Sequence, residues 1–125
     1  MQILLDTHIL LWWLADSSKL SRKARELIAD PANTIIVSAA TAWEISIKQT
    51  LGKISIEGDL ETEVRANGFG SLPIGFSHAA AIKGLPANHR DPFNRILIAQ
   101  AQVENLSILT ADRHIPKYPV TVIQA

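Results

Sequence analysis

Two aspartates each follow a short apolar segment of the sequence. Asp6 comes directly after residues 3–5, and Asp112 comes shortly after residues 107–110. Short apolar or β-branched segments of this kind predict buried strands. In an open parallel sheet, ligands bind at the carboxyl ends of the strands, so both carboxylates are expected beside one crevice. Taken alone, Asp6 is explained more simply as a helix cap and Asp112 as a turn residue.

Glu44 is an acid on the apolar face of a predicted helix. Ala40, Ile47 and Leu51 share its stripe at helical spacing. A carboxylate is rarely buried without a partner, because removing a lone charge from water is very unfavourable. A structural salt bridge to Lys48 and a functional role both account for this position, and the sequence leaves the two alternatives open.

The first turn of a long predicted helix contributes two more polar residues. Asp91 precedes Pro92, and an aspartate followed by proline is a common helix start. Asn94 falls in the middle of the buried face when residues are placed every 100°. Asp91 as a helix cap and Asn94 as a core amide, each hydrogen-bonded locally, are ordinary explanations too.

Together these residues can converge at one end of one sheet. Carboxylates so placed cannot all ionise close together without a cation. Ligands that are all oxygen favour Mg²⁺ or Mn²⁺ over zinc or copper. Hard cations bound by acids are used in phosphodiester hydrolysis, where they activate water and stabilise the reacting oxygens.

The elements that must position these residues alternate along the chain. The pattern predicts strands over 3–5, 34–38, 71–74, 107–110 and 120–123, and helices over 7–15, 21–29, 39–51, 59–66, 77–83 and 91–104. Short apolar strands that alternate with helices predict an α/β fold with a small, mostly parallel sheet flanked by helices. A length of 125 residues predicts one domain over 1–125.

Composition excludes several classes of protein. The chain has no cysteine, which excludes a disulfide framework and a thiolate metal site. The longest apolar run, residues 9–15, is much shorter than the ~20 residues that span a bilayer, so no membrane span is predicted. The N-terminus lacks a basic region, so no signal peptide is predicted. A cytoplasmic protein is expected. Twelve acidic residues balance twelve basic residues, which argues against tight, non-specific binding along nucleic acid. If a cation neutralised four of the acidic residues, eight would remain against twelve basic residues, a modest positive excess.

Four ordered stretches resemble one known family. They are residues 4–8, 38–44, 89–101 and 109–112. At these residues the chain resembles the PIN-domain ribonucleases, specifically the VapC-like toxins of type II toxin–antitoxin modules. The resemblance implies a three-layer PIN-like fold, an acidic site dependent on Mg²⁺ or Mn²⁺, cleavage of RNA, a homodimer and a small antitoxin that blocks the site.

The resemblance also implies a set of site residues. Asp6 matches the first family acid, Glu44 the second and Asp112 the last. Many members carry a third acid where this chain has Asn94, and many close relatives also carry an Asp at Asp91. The implied catalytic and metal-binding residues are therefore these four acids, with Asn94 as a neutral auxiliary ligand. An amide offers a carbonyl oxygen to a cation without adding charge.

Local basic groups are expected to contact the RNA. Arg90 and Arg113 adjoin two of the candidate ligands in sequence and are predicted to bind RNA. The bases between 19 and 25 are more simply explained as a solvated helix face. Thr7 and Thr110 are plausible hydroxyl donors to the carboxylates, whereas Ser38 is interpreted as a helix cap.

The aromatic residues receive structural explanations first. Trp13 and Trp43 are predicted to lie in the core, whereas Trp12 is expected to face the surface in a subunit or antitoxin groove. His8, on the apolar first helix, is interpreted as a packed residue rather than a ligand.

Alternative functions are less well supported. A PIN-like module that binds RNA or a protein without cutting is favoured by Asn94 and disfavoured by the four acids. A phosphoacceptor receiver domain needs an acidic pair after the first strand and an acceptor Asp after the third, and the sequence has neither. The isolated Gly68-Phe69-Gly70 lacks the third glycine and helix of a phosphate loop.

Overall fold

Strands and helices alternate along the chain from its second residue. A computed structural model describes residues 1–86 and 91–125. The strands are Gln2–Leu5 (β1), Thr34–Ser38 (β2), Gly70–Leu72 (β3), Ser107–Thr110 (β4) and Val122–Gln124 (β5). The helices are Thr7–Leu14 (α1), Arg22–Ala29 (α2), Ala39–Thr50 (α3), Leu60–Ala66 (α4), Phe76–Ala81 (α5) and Pro92–Glu104 (α6), and short 3₁₀ turns cover Ile82–Gly84 and Ile115–Lys117.

The five strands form one sheet in the order β3-β2-β1-β4-β5. Every neighbouring pair is parallel, and Leu4 of the central strand is in register with Ile36 of β2 and Ile108 of β4. The carboxyl ends of β1 and β4 therefore leave the sheet side by side. The predicted α/β fold with a small parallel sheet is confirmed.

Helices cover both faces of this sheet. Ile3 and Leu5 point to one face, where they pack with Leu10 of α1 and Ala24 of α2. The residue between them, Leu4, points to the other face and packs with Leu97, Leu106 and Ile108. Strands buried on both faces have no polar alternation, which explains their continuous apolar sequences. The result is the predicted three-layer arrangement.

Capping side chains begin most of the helices. Asp6, Ser21, Ser38, Asp59 and Asp91 each accept a hydrogen bond from a backbone N–H of the first turn that follows. Such caps satisfy amides that have no partner inside the helix. Asp6 and Ser38 cap helices that start directly at the ends of strands, so α1 and α3 begin at the carboxyl edge of the sheet.

Most predicted elements keep their bounds to within one residue, and three differ for a physical reason. The last strand lies over Val122–Gln124 rather than 120–123, because the N–H of Val120 closes a tight turn onto the carbonyl of Tyr118 (2.8 Å). The third strand is Gly70–Leu72, since Pro73 has no N–H to continue the ladder. The helix predicted over 77–83 begins one residue earlier, at Phe76, and tightens into a 3₁₀ turn after Ala81.

Within residues 1–86 and 91–125, none of the helices has the length and apolar character needed to cross a membrane.

Gln100 joins α6 to the ends of two strands. Its side chain is fully buried; Oε1 accepts from the Ser38 hydroxyl, and Nε2 donates to the carbonyl of Pro73 (3.3 Å). Gln100→Leu removes both bonds and leaves buried polar partners unsatisfied. We expect the free energy of unfolding to fall by about 1–3 kcal/mol, measured by urea denaturation followed by circular dichroism.

Gln102→Leu is the matched control for this substitution. Gln102 also donates to a carbonyl, that of Pro119 (3.1 Å), but this bond is exposed. Water can replace an exposed bond, so the loss should stay below about 0.5 kcal/mol. Equal losses for the two variants would contradict the assignment of Gln100 to a buried network.

Candidate functional site

Asp6 is a buried carboxylate at the carboxyl end of the central strand. The residue is 3% exposed; Oδ1 accepts from the N–H of His8 (2.9 Å), and Oδ2 accepts from the Thr110 hydroxyl. Burial raises the pKa of Asp6, and the nearby charge of Asp112 adds to the rise, although the bonds from Thr110 and His8 oppose it. Among the described residues, the one ion-pair partner within 4.0 Å of its carboxylate is the His8 ring, which carries charge only when it is protonated. Ionised Asp6 would therefore be stabilised by a bound cation.

Thr110 connects Asp6 to Asp112. The buried Thr110 hydroxyl donates its proton to Asp6 and accepts from the N–H of Asp112 (2.9 Å). Asp112 is half-buried, and its Oδ1 accepts from the N–H of His114 (2.8 Å). These bonds fix the loop after β4, so both carboxylates stand at the same edge of the sheet. Asp6 and Asp112 meet there as their positions after two strands predicted.

Asn94 lies against Asp112. Its Nδ2 donates to Oδ2 of Asp112 (3.0 Å). Because an ionised carboxylate can only accept, the amide nitrogen must be the atom that faces it, and the carbonyl oxygen points elsewhere. The structure therefore brings Asn94 of α6 to the same edge as the two aspartates, with its amide nitrogen on Asp112; coordination of a cation by its amide oxygen stays a prediction.

Glu44 is hydrogen-bonded to Thr7, the residue next to Asp6 in the sequence. It is buried on α3; Oε1 accepts from the hydroxyl of Thr7 (2.7 Å), the residue that follows Asp6, and Oε2 accepts from the ammonium of Lys48 (2.7 Å). The salt bridge to Lys48 that the sequence left open is present. The bond to Thr7 shows in addition that Glu44 lies on the side of α3 that faces the end of β1.

Asp91 caps α6. Its Oδ1 accepts from the N–H groups of Phe93 (2.9 Å) and Asn94 (3.4 Å), which is the helix-cap geometry that Asp followed by Pro predicted. The second of these bonds holds the backbone of Asn94, so Asp91 helps to fix the residue that contacts Asp112.

The donor set fits a hard divalent cation. Within the described ranges, no three His, Asp or Glu side chains are arranged to enclose a metal. Mg²⁺, however, usually keeps several waters and is held by one or two carboxylates together with substrate phosphates. Among the described residues, two carboxylates joined through one hydroxyl, with an amide side chain beside them, meet that requirement.

Other predicted positions have mixed outcomes. Arg90 lies outside the described residues, and Arg113 is exposed in the loop after β4. Ser38 caps α3 as expected. Several of the bases between 19 and 25 lie on the solvated face of α2: Arg22 pairs with Glu26, and Arg25 pairs with Asp16.

Two structural expectations were wrong. Trp43 is 48% exposed rather than part of the core, because its ring packs against Phe93 at the surface between α3 and α6. The ring of His8 is 62% exposed rather than packed, because the first turn of α1 faces the carboxyl edge of the sheet. Trp13 is half-buried against the core and donates to Asn67 (3.0 Å), and Trp12 is half-buried beside a surface groove.

Sequence reasoning missed one buried residue near this edge. Gln100, whose bonds are given above, is a lone amide within the wholly buried segment 96–101. The signal that marks Gln100 in the sequence is the same as for Asn94, a polar side chain on an apolar helix face.

The sequence of this chain matches one known family over most of its length. A model of the PIN domain family matches residues 3–120, almost the whole chain. This chain belongs to the PIN domain family. The family resemblance that four stretches of sequence suggested is confirmed.

One curated relative covers nearly the same length. Ribonuclease VapC22 of Mycobacterium tuberculosis is 30% identical to this PIN domain over 132 aligned positions, which include 96% of this chain and 97% of the relative. The prediction of a nuclease, a hydrolase of phosphodiester bonds, agrees with this relative and with the family.

Solved structures share the fold of this PIN domain. A chain of VapBC2 from Rickettsia felis, bound to a DNA fragment from its promoter, has a TM-score of 0.70 at 11% identity and covers 100% of this chain and 99% of its own. A chain of a toxin–antitoxin complex from Klebsiella pneumoniae has a TM-score of 0.65 at 22% identity, with 98% and 96% covered. At these identities the likeness shows the fold alone.

Proposed function

We propose that this PIN domain protein is an Mg²⁺- or Mn²⁺-dependent endoribonuclease and the toxin of a type II toxin–antitoxin module. The observation that carries the proposal is the pairing of Asp6 and Asp112 through Thr110 at the carboxyl edge of the sheet. A buried carboxylate with a raised pKa beside a second carboxylate is a site that a cation would stabilise. The relative named ribonuclease supports RNA as the substrate.

Asp6 and Asp112 are the proposed direct ligands, with the amide oxygen of Asn94 as a neutral auxiliary. A divalent cation held there would offset the negative charge of the phosphodiester and lower the pKa of a water that attacks it. Asp91 stays in the proposed set as a positioning residue. Its carboxylate accepts a hydrogen bond from the backbone N–H of Asn94 and so holds the backbone of Asn94 in place.

Glu44 is the proposed acceptor of the proton from the attacking water. Its two oxygens are oriented by Thr7 and Lys48, and each keeps a lone pair for a further bond. Lys48 balances the charge of the ionised form, which is the form that can accept a proton. A general base must lie within hydrogen-bond reach of the water, and the bond between Glu44 and Thr7, the residue after Asp6, supports this role.

Arg113 is the proposed contact to the RNA backbone among the described bases, and Arg90 is proposed from its sequence position. Arg113 is exposed and directly follows Asp112. Arg113→Ala should weaken binding of single-stranded RNA and reduce the slope of log affinity against log salt by about 0.7, the effect of one lost phosphate contact. Fluorescence anisotropy across a salt series measures both quantities.

Lys53→Ala is the matched control for the Arg113→Ala substitution. Lys53 is an exposed base beyond the C-terminal end of α3 and is not part of the proposed site. Its removal should leave the salt slope unchanged. An unchanged slope for Arg113→Ala would remove this residue from the proposed RNA contact.

The proposed protein partners are a small antitoxin and a second copy of this chain. The solved neighbours include toxin–antitoxin complexes, which supports the antitoxin. A groove of about 660 Å³ beside α1, lined by Trp12, Leu14, Ile54 and Ile56 among others, is the proposed antitoxin surface. The proposed site of action is the cytoplasm, where cellular RNA is available, and we propose that residues 1–125 act as a single domain.

A catalytically silent RNA- or protein-binding module is the second candidate, and Asn94 favours it. The family acid that would add charge beside Asp112 is an amide here, so the described site has two adjacent carboxylates rather than three. This candidate predicts that RNA is bound but not cut.

One set of measurements separates the two candidates. Purified protein is titrated with Mg²⁺ and Mn²⁺ by calorimetry and incubated with single-stranded RNA, with and without EDTA. The nuclease proposal expects cation binding and cleavage that EDTA abolishes. Cleavage that persists in excess EDTA, or cation binding with no cleavage of any RNA tested, would contradict it.

A further inference from the structure

Trp43 and Phe93 form an aromatic pair at the protein surface. Their ring centroids are 4.6 Å apart and the rings meet edge to face at 66°. Trp43 stays 48% exposed, and Phe93 is half-buried. The pair connects the N-terminal half of α3 to the first turn of α6, two helices that pack against each other.

Both rings adjoin the candidate site. Trp43 directly precedes Glu44, which bonds to Thr7 beside Asp6. Phe93 directly precedes Asn94, which bonds to Asp112. The aromatic pair therefore lies on the turns of α3 and α6 that also carry Glu44 and Asn94, and we expect a chain bound at the carboxylate edge to pass near it.

The Trp43 ring is anchored before any ligand arrives. Its contact with Phe93 restricts its rotamers, so binding against the exposed part of the ring would cost little additional conformational entropy. Every nucleic-acid base has a π-face that stacks on an aromatic ring, and such stacking tolerates any sequence. Only an unpaired base can offer that face, because the bases of a duplex are already stacked.

We propose that Trp43, held in place by Phe93, is a stacking platform for one unpaired base of single-stranded RNA next to the phosphate that is cut. The proposal rests on the nuclease function proposed above and specifies its substrate class. Trp43 positions the RNA and takes no part in the chemical step.

The competing occupant of this surface is a protein. Ile47 and Leu51 continue the exposed stripe of α3 one and two turns beyond Trp43, with Leu51 61% exposed. A protein that docks on α3 would use the whole stripe, whereas a base stacked at the site would use Trp43 alone. Proximity to Glu44 and Asn94 favours the base, and Leu51 provides the discriminating variant.

The first measurement is the affinity for a labelled single-stranded RNA in the presence of EDTA, so that the cleavage proposed above cannot proceed. Trp43→Ala should weaken binding about 5- to 100-fold, the range of one lost base–aromatic stack. Trp43→Phe should recover most of the affinity, and Phe93→Ala should weaken it by less than Trp43→Ala.

Two controls remove exposed apolar side chains elsewhere. Leu51→Ala tests the far end of the same helix. Phe76→Ala removes a side chain that is 97% exposed. Phe76 lies near the other end of α6, because His78, two residues later, contacts Glu104 (2.9 Å). Glu104 is about 16 Å along the helix from Phe93. Neither substitution should change the affinity for RNA.

The second measurement uses RNAs that each lack one base. The parent protein should lose affinity at one abasic position by about the same factor as Trp43→Ala, and Trp43→Ala should show no further loss there, because the two changes remove the same contact. A purely structural effect of the substitution would leave the abasic loss intact.

The outcomes separate this inference from the nuclease proposal. Failure of the parent to bind RNA, unchanged affinity in Trp43→Ala, or independent losses in the abasic series would overturn the platform. The platform is also overturned if Trp43→Ala and Leu51→Ala weaken dimerisation or antitoxin binding to the same extent and leave the affinity for RNA unchanged. If the abasic result appears but no RNA is cut with Mg²⁺ or Mn²⁺, the platform stands and the nuclease proposal fails.

Discussion

Asp6→Asn is expected to lower the rate of RNA cleavage by more than about 100-fold. Loss of a group that only orients a metal ligand typically costs 10- to 100-fold, so loss of the central carboxylate itself should cost more. Asparagine keeps the oxygen that accepts from the N–H of His8 and caps α1 about as well as aspartate. Cleavage of single-stranded RNA at saturating Mg²⁺ measures the effect, and Asp6→Ala should behave in the same way.

The stability of Asp6→Asn is the control for this loss. Burial raises the pKa of Asp6, so the folded metal-free protein holds this proton more tightly than the unfolded chain does. Stability is therefore greatest when Asp6 is protonated, and it falls as the pH rises from the ordinary aspartate pKa through the raised one. Asparagine cannot ionise, so the variant should lack this decline and be at least as stable as the parent at neutral pH.

Urea denaturation in EDTA across a pH series checks that expectation. A stable variant that has lost cleavage assigns the loss to the site rather than to the fold. A stable variant that still cleaves RNA at the parent's rate would show that Asp6 is not a metal ligand.

Asn94→Asp is expected to tighten Mg²⁺ binding by on the order of tenfold or more. The amide nitrogen that now donates to Asp112 (3.0 Å) would be replaced by a second negative oxygen beside it. Carboxylates at such a distance repel each other unless a cation lies between them, and the charge of the ligand set governs the affinity of hard cations. Calorimetry and the Mg²⁺ concentration at half-maximal cleavage measure the change.

In the absence of metal, Asn94→Asp should destabilise the protein, because no cation offsets the repulsion between the new carboxylate and Asp112. Asn94→Ala is the matched control, since it removes the bond to Asp112 without adding charge, and it should weaken cation binding. Equal Mg²⁺ affinity in the parent and both variants would place Asn94 outside the site. Greater growth arrest by Asn94→Asp than by the parent would indicate that the natural amide limits activity.

The positions of the two strand-end aspartates were predictable because they depend on the backbone alone. A parallel sheet places the ends of its strands at one edge, and β1 and β4 proved to be neighbours. Asn94 was predictable from the 100° spacing of α6, which puts it on the buried face. In each case a regular element determines the direction of the side chain, and the sequence is enough to recognise that element.

The remaining features depend on which surfaces meet. Trp43 looked like a core residue because its neighbours on α3 are apolar, but packing between α3 and α6 leaves its ring at the surface. The cap geometry of Asp91 was predictable. The sequence left Glu44 open between a salt bridge to Lys48 and a functional role, and the structure shows the salt bridge together with a bond from Thr7. Thr7 and Thr110 donate to carboxylates as predicted, but which carboxylate each one meets depends on side-chain conformation, which no periodicity encodes.

The bond between Thr110 and Asp6 joins residues 104 positions apart in the chain. The strand that carries Thr110 therefore leaves a ribosome roughly 5–20 s after Asp6, at about 5–20 residues per second. Until then a nascent chain holds Asp6 without Asp112, and β1 lacks one of its two neighbours. During that interval the ribosome that makes this protein is exposed only to an incomplete site.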